Sequence, residues 1–102
     1  MAKPILNTSP IFAVCDRNDT RVNLPGVNLD PDIDEDNVDV SYNGQPVDVD
    51  KARVKGGVLI LKMKKISRKG PETGEDEITV TVTNPNPPEQ SDPVDVPLVF
   101  DE

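Results

Sequence analysis

Hydrophobic and polar positions alternate most strictly in residues 74–87, GEDEITVTVTNPNP. There Ile78, Val80 and Val82 interleave with Thr79, Thr81 and Thr83. A period of two predicts a strand with one buried and one wet face. All six of these residues are β-branched, which favours the extended state. The run Asn84-Pro85-Asn86-Pro87-Pro88 then stops the strand, because proline supplies no ladder donor and restricts its predecessor. A second alternating run, Val94, Val96, Leu98 and Phe100, follows with Asp95, Pro97 and Val99 between. The two runs predict an antiparallel pair joined by a proline-rich loop.

The same reading extends towards the N-terminus. Residues 1–10 are polar and proline-bounded and are expected to form an arm, with a single domain over residues 11–102. Residues 11–14 are a short apolar strand candidate. Val22 and Leu24 share one face of the next strand, with Arg21 and Asn23 on the other. Pro25-Gly26 marks a turn or bulge, after which Val27 and Leu29 resume the apolar face. Val38, Val40 and Tyr42 lead into Asn43-Gly44, the strongest short hairpin signal, since a type I′ turn needs positive φ at both positions. The return strand, residues 45–49, carries Pro46 and is read as an edge. In residues 58–63, Leu59, Leu61 and Met63 are assigned inward, and Ile60, Lys62 and Lys64 outward. Residues 66–74, with Gly70, Pro71 and Gly74, read as a loop. The sum is an all-β domain of about seven antiparallel strands, a sandwich or barrel. Its most buried residues are expected to include Val22, Leu24, Val38, Val40, Leu59, Leu61, Ile78, Val80 and Val82.

Composition narrows the function classes. With 102 residues, two Phe, one Tyr and no Trp, the core must be aliphatic. The net charge of −8 argues against general nucleic-acid binding, for which a basic surface is the usual footprint. The start of the chain carries one lysine but no long apolar core, so no secretory signal is expected. No run approaches the roughly 20 apolar residues of a membrane helix. Synthesis in a cytoplasm is expected, with a final location on a virion or the outside of another assembly.

Catalysis finds little support in these residues. The chain has no histidine, the commonest general base and metal ligand. Cys15, the only cysteine, follows an apolar run and is read as a buried strand residue, not a nucleophile. Asp30, Asp32, Asp34 and Asp36 have the oxygen chemistry of a calcium loop, but the sixth and twelfth positions from Asp30 are Glu35 and Ser41. An EF-hand needs Gly and Glu there, so a solvated acidic loop is expected. No enzyme activity, cofactor, metal or small-molecule substrate is assigned.

Charge is distributed very unevenly along the chain. Lys51, Arg53, Lys55, Lys62, Lys64, Lys65, Arg68 and Lys69 make up eight of the eleven basic residues, and no acid lies between Asp50 and Glu72. An electrically bipolar molecule follows. Two readings remain open: a basic surface that steers docking onto a protein partner, or lysines that guard an exposed strand edge. The stretch has no aromatic stacking residues, so nucleic acid is not the expected partner.

In order, the motifs resemble an IPT/TIG domain, a member of the early-set immunoglobulin-like group. The family opening Ser-Pro is matched by Ser9-Pro10, and its Gly-x-Asn-Leu strand end by DTRVNLPGVNL at residues 19–29. Its Gly-containing turn is matched by VDVSYNGQPV at residues 38–47, and its closing Val-x-Val-x-Asn-Pro by GEDEITVTVTNP at residues 74–85. The acidic residues 30–37 and the lysine-rich residues 51–69 depart from the family pattern. The resemblance implies an immunoglobulin-like β-sandwich serving as a contact or spacer module. It implies first a head-decoration or tail-surface component of a phage virion, bound to capsid or tail protein. The alternative is an extracellular adhesion or carbohydrate-associated module of a larger secreted protein.

Overall fold

The computed structural model describes residues 3–9, 11–42, 44–66, 76–85 and 88–101. Among these the regular structure is all β, apart from one 3-10 turn at Glu35–Asn37. No helix among them is long and apolar enough to cross a membrane. The strands are β1 (Ile5–Leu6), β2 (Ala13–Cys15), β3 (Asp19–Val27), β4 (Val38–Tyr42), β5 (Gln45–Val47), β6 (Val49–Lys55), β7 (Val58–Lys64), β8 (Glu77–Pro85), β9 (Pro88–Gln90) and β10 (Val94–Phe100).

They form one continuous sheet in the order β5-β4-β8-β10-β2-β3-β7-β6, with β1 added to β3 and β9 to β8. The sheet curls like a barrel, and β6 at one end comes close to β4 near the other. The strand at the fold is β10. Val94–Pro97 pair antiparallel with β8, and Leu98–Phe100 pair parallel with β2.

Period-two alternation decides which residues enter the interior. Ile78, Val80, Val82, Leu24, Leu59, Met63 and Val96 are fully buried, and Val22, Val38, Val40 and Leu61 nearly so. All nine residues expected to be most buried lie in this one cluster. Cys15 is buried, and its Sγ accepts the Ile66 backbone N–H at 3.4 Å.

Four expectations are corrected. First, ten strands replace about seven, because β1, β6 and β9 are short or polar and carry little alternation, and the β10–β2 pairing is parallel where antiparallel strands were expected. Val49 belongs to β6 and not to the strand after the Asn43-Gly44 turn. Second, residues 1–10 are not a free arm throughout: Pro4 and Leu6 are buried, and Ile5 and Leu6 pair with Val27 and Gly26. Third, Pro25-Gly26 does not turn the chain. β3 runs straight through it, and continued alternation leaves Val27 outward and 55% exposed. Gly26 serves close approach instead, since a Cβ there would lie 2.6 Å from the Ile5 carbonyl oxygen. Fourth, Gly56 and Gly57, at φ 59° and 76°, make the tight β6–β7 turn that the sequence reading passed over.

The Asn43-Gly44 hairpin is seen in the Tyr42–Gln45 pairing and the φ of 79° at Gly44; Asn43 itself lies outside the described residues. So does most of the expected loop, residues 67–75.

The acidic stretch after β3 is held by its own carboxylates. Asp30 Oδ1 accepts the Asp32 N–H at 2.8 Å, and Asp34 Oδ1 accepts the Asp36 N–H at 2.9 Å, capping the 3-10 turn. Ile33 plugs the loop into the core. Buried Asn84 closes the arrangement, accepting the Asp30 N–H at 3.0 Å and donating to the Asn28 carbonyl at 2.7 Å.

Candidate protein-docking face

The outward side chains of the β10-β2-β3-β7-β6 half of the sheet form a surface with a graded character. One row crosses all five strands in register: Val99, Val14, Arg21, Lys62 and Lys51. The next row runs Asn23, Ile60 and Arg53, and the one beyond it Pro25, Val58 and Lys55. The surface is therefore apolar over β10 and β2 and cationic over β7 and β6. With strands about 4.8 Å apart, the two poles of the first row lie roughly 19 Å from each other.

Two shallow depressions mark this face. The larger, about 620 Å³, has Ile60 and Ala52 among its lining and Arg21, Lys51, Arg53 and Lys62 around it, with Glu35 at the rim. The smaller, about 380 Å³, lies against Phe12, Val14 and Asn23. Arg21 lines both, so they are neighbours on one surface.

Its electrostatics are partly compensated. Asp19, nearly buried, takes Arg21 Nε at 3.1 Å and lies 3.9 Å from Lys62 Nζ. The Asp19 carboxylate, by hydrogen bond first and by charge second, raises the Arg21 guanidinium above its ordinary pKa. Lys64 pairs with Asp50 at 3.4 Å. Asp50 is the extra residue of a bulge, where β6 slips register against β7 between Val49 and Lys51. Lys51, Arg53 and Lys55 make no salt bridge among the described residues and are exposed.

The basic residues singled out from the sequence thus separate into groups. Lys51, Arg53, Lys55 and Lys62 share the face. Lys64 also points outward but is matched by Asp50, and Lys65 lines a different depression beside Tyr42 and Pro46. Arg68 and Lys69 lie outside the described residues. β6 ends the sheet order, so Lys51, Arg53 and Lys55 sit on an edge strand, whereas Lys62 and Lys64 lie on β7, which is paired on both sides; for the β6 residues both sequence readings remain compatible with their placement.

Sequence reading missed Arg21 as a member of this group, and it missed the apolar half. Ile5, Phe12, Val27 and Val99 are each about half exposed, and together they are the large exposed hydrophobics among the described residues. Val99 sits beside Val14 and Ile5 beside Val27 in the ladders, and Phe12 lines the depression with Val14 and Asn23. All four belong to this half of the sheet. The outward parity of Val99 and Val27 was the available signal.

Compared with known proteins, the chain matches no family model, no curated protein and no solved structure at a significant level.

Proposed function

We propose that this protein is a non-enzymatic docking module that attaches to a larger assembly through the apolar–cationic face. The observation that carries the proposal is that the large exposed hydrophobics lie on one half of the sheet in two groups, Phe12 and Val99 about Val14 and Ile5 beside Val27, six residues apart along β3. Single exposed hydrophobics are ordinary, whereas a group of them rimmed by polar residues marks an interaction site. Division of labour follows from general interface physics. Apolar anchors hold the complex, and rim charges set association rate and salt dependence.

The finer fold reading belongs to the same proposal: an immunoglobulin-like β-sandwich of the early-set type. Its support is the strand order. β2-β3-β7-β6 corresponds to strands A-B-E-D of such a domain, and β10-β8-β4-β5 to G-F-C with an added C′. The assembly we place first is a phage virion, with this module on capsid or tail, on the strength of the IPT/TIG resemblance.

Co-sedimentation with the parent assembly tests the reading with two variants. Phe12→Ser/Val99→Thr should dissociate faster. Lys51→Glu/Arg53→Glu/Lys62→Glu should associate more slowly and lose salt dependence. Wild-type attachment by both variants, each verified as folded by circular dichroism, would overturn it.

A further inference from the structure

The opposite half of the sheet presents the complementary surface. The outward residues of β4, β8 and β10 there are Asp39, Glu77 and Asp95, all exposed, among half-buried Ser41, Thr79 and Thr81. In register they form rows: Asp39 beside Thr81, Ser41 beside Thr79 and Asp95, Glu77 beside Pro97. The Thr79 hydroxyl donates to Asp95 at 2.8 Å, which fixes that carboxylate on the surface. Three carboxylates on a platform of threonine methyls and Pro97 match, in sign and in mixed polarity, the Lys51, Arg53 and Lys62 field around Ile60.

We infer that the cationic half of the docking face takes the acidic outer face of a second copy of this chain. The inference rests on the docking reading above and names one partner for that surface. Because the two contacting patches differ, the contact is head-to-tail, and each added copy leaves one face of each kind open at the ends. Such contacts build rows or rings, not closed two-fold pairs.

The net charge of −8 does not forbid this association. At about 0.15 M salt the Debye length is roughly 8 Å. The molecule measures 43 × 23 × 22 Å, so its two faces are then electrically separate and contact is governed by local charge. At about 0.01 M salt the Debye length grows to roughly 30 Å, and copies repel as whole anions. The test therefore belongs near physiological ionic strength.

Sedimentation of the full chain at that salt should show mass rising with concentration from the 11.1 kDa monomer. Lys51→Gln/Arg53→Gln and Asp39→Asn/Asp95→Asn should each stay monomeric while keeping the wild-type circular-dichroism spectrum. Mixed in equal amounts, they should form a dimer of twice the monomer mass and nothing larger, since each supplies the one face the other lacks. A wild-type chain monomeric at every concentration would overturn the inference. So would an associating wild type whose mixed variants stay monomeric, which would point to contact through the apolar half alone. If the wild type stays monomeric while the lysine variant loses attachment to the parent assembly, the self-contact falls and the docking function stands. Self-association by the scheme above, with unchanged attachment of both docking variants, would instead remove the docking function.

Discussion

Arg21 and Lys62 stand opposite each other on β3 and β7, and both are directed at the carboxylate of Asp19, at 3.1 and 3.9 Å. Asp19 therefore sets how much of the positive charge on the proposed docking face is uncompensated. Asp19→Asn should shorten retention on an anion exchanger at neutral pH relative to wild type, since the chain carries a net charge of −8. The stability cost should stay at or below about 1 kcal/mol, because both cationic partners are solvent-screened. Unchanged retention would show that Asp19 does not govern the charge of this face.

Val80 is fully buried on β8, between Val40 of β4 and Val94 of β10. Val80→Ala should cost about 1–3 kcal/mol through lost burial and a residual cavity. Urea unfolding is expected to show a lower midpoint at an unchanged slope. A loss below a few tenths of a kcal/mol would mean that the centre of the sheet is loosely packed.

The Asp16 carboxylate accepts the N–H groups of Asp19 at 2.9 Å and Asn18 at 2.7 Å, and these bonds hold its pKa below the ordinary range. A pKa depressed by folding contributes stability that is complete above the unfolded value, about 3.9. That contribution is lost as pH falls through the lowered folded value. Asp16→Asn keeps an acceptor oxygen but cannot titrate. The wild-type melting temperature should thus fall more steeply than that of the variant below about pH 4. Parallel acid limbs would contradict this.

Gly26 has room for no side chain, because a Cβ at this position would lie 2.6 Å from the Ile5 carbonyl oxygen and 3.1 Å from Leu29 Cδ1. Gly26→Ala should push β1 off β3 and cost about 1–3 kcal/mol, the usual range for overpacking. Amide exchange checks the location of the effect. The Asn7 N–H, bonded to the Pro25 carbonyl at 2.7 Å, should lose protection before the β7 amides do.

Calcium should do little. Asp30 and Asp34 already commit carboxylate oxygens to the backbone of their own loop, and no group of three or more acidic or cysteine side chains among the described residues is poised around an ion. Melting temperatures in excess chelator and in millimolar calcium should agree. A rise of several degrees with calcium would reveal a site built by rearrangement of residues 30–36.

Interior packing was legible in the sequence because parity is a local property. Leu59, Leu61 and Met63, or Ile78, Val80 and Val82, declare their face without reference to any other strand. The proposed docking face was only half legible for the opposite reason. Lys51, Arg53 and Lys62 are near in sequence, but Val14 and Val99 are neighbours only because β10 turns from β8 to run parallel with β2. Nothing within either segment encodes that partnership. Arg21 likewise gains its place beside Lys62 from the β3–β7 register, and its partial neutralisation from Asp19, which alternation along one strand does not reveal. β6 escaped notice because only Ala52 and Val54 mark its inner side.

The parallel pairing of β2 with the end of β10 also fixes how the molecule carries load. β2 lies near the start of the chain and β10 near its end, and Ala13–Cys15 run in the same direction as Leu98–Phe100. Tension applied to the two chain ends therefore drags these strands in opposite senses along their length. Their hydrogen bonds are strained together in shear, where a hairpin pulled from its open end would yield one bond at a time. A module tethered by its termini would resist extension as a clamp, with its breaking point set at this short seam between the two halves of the sheet.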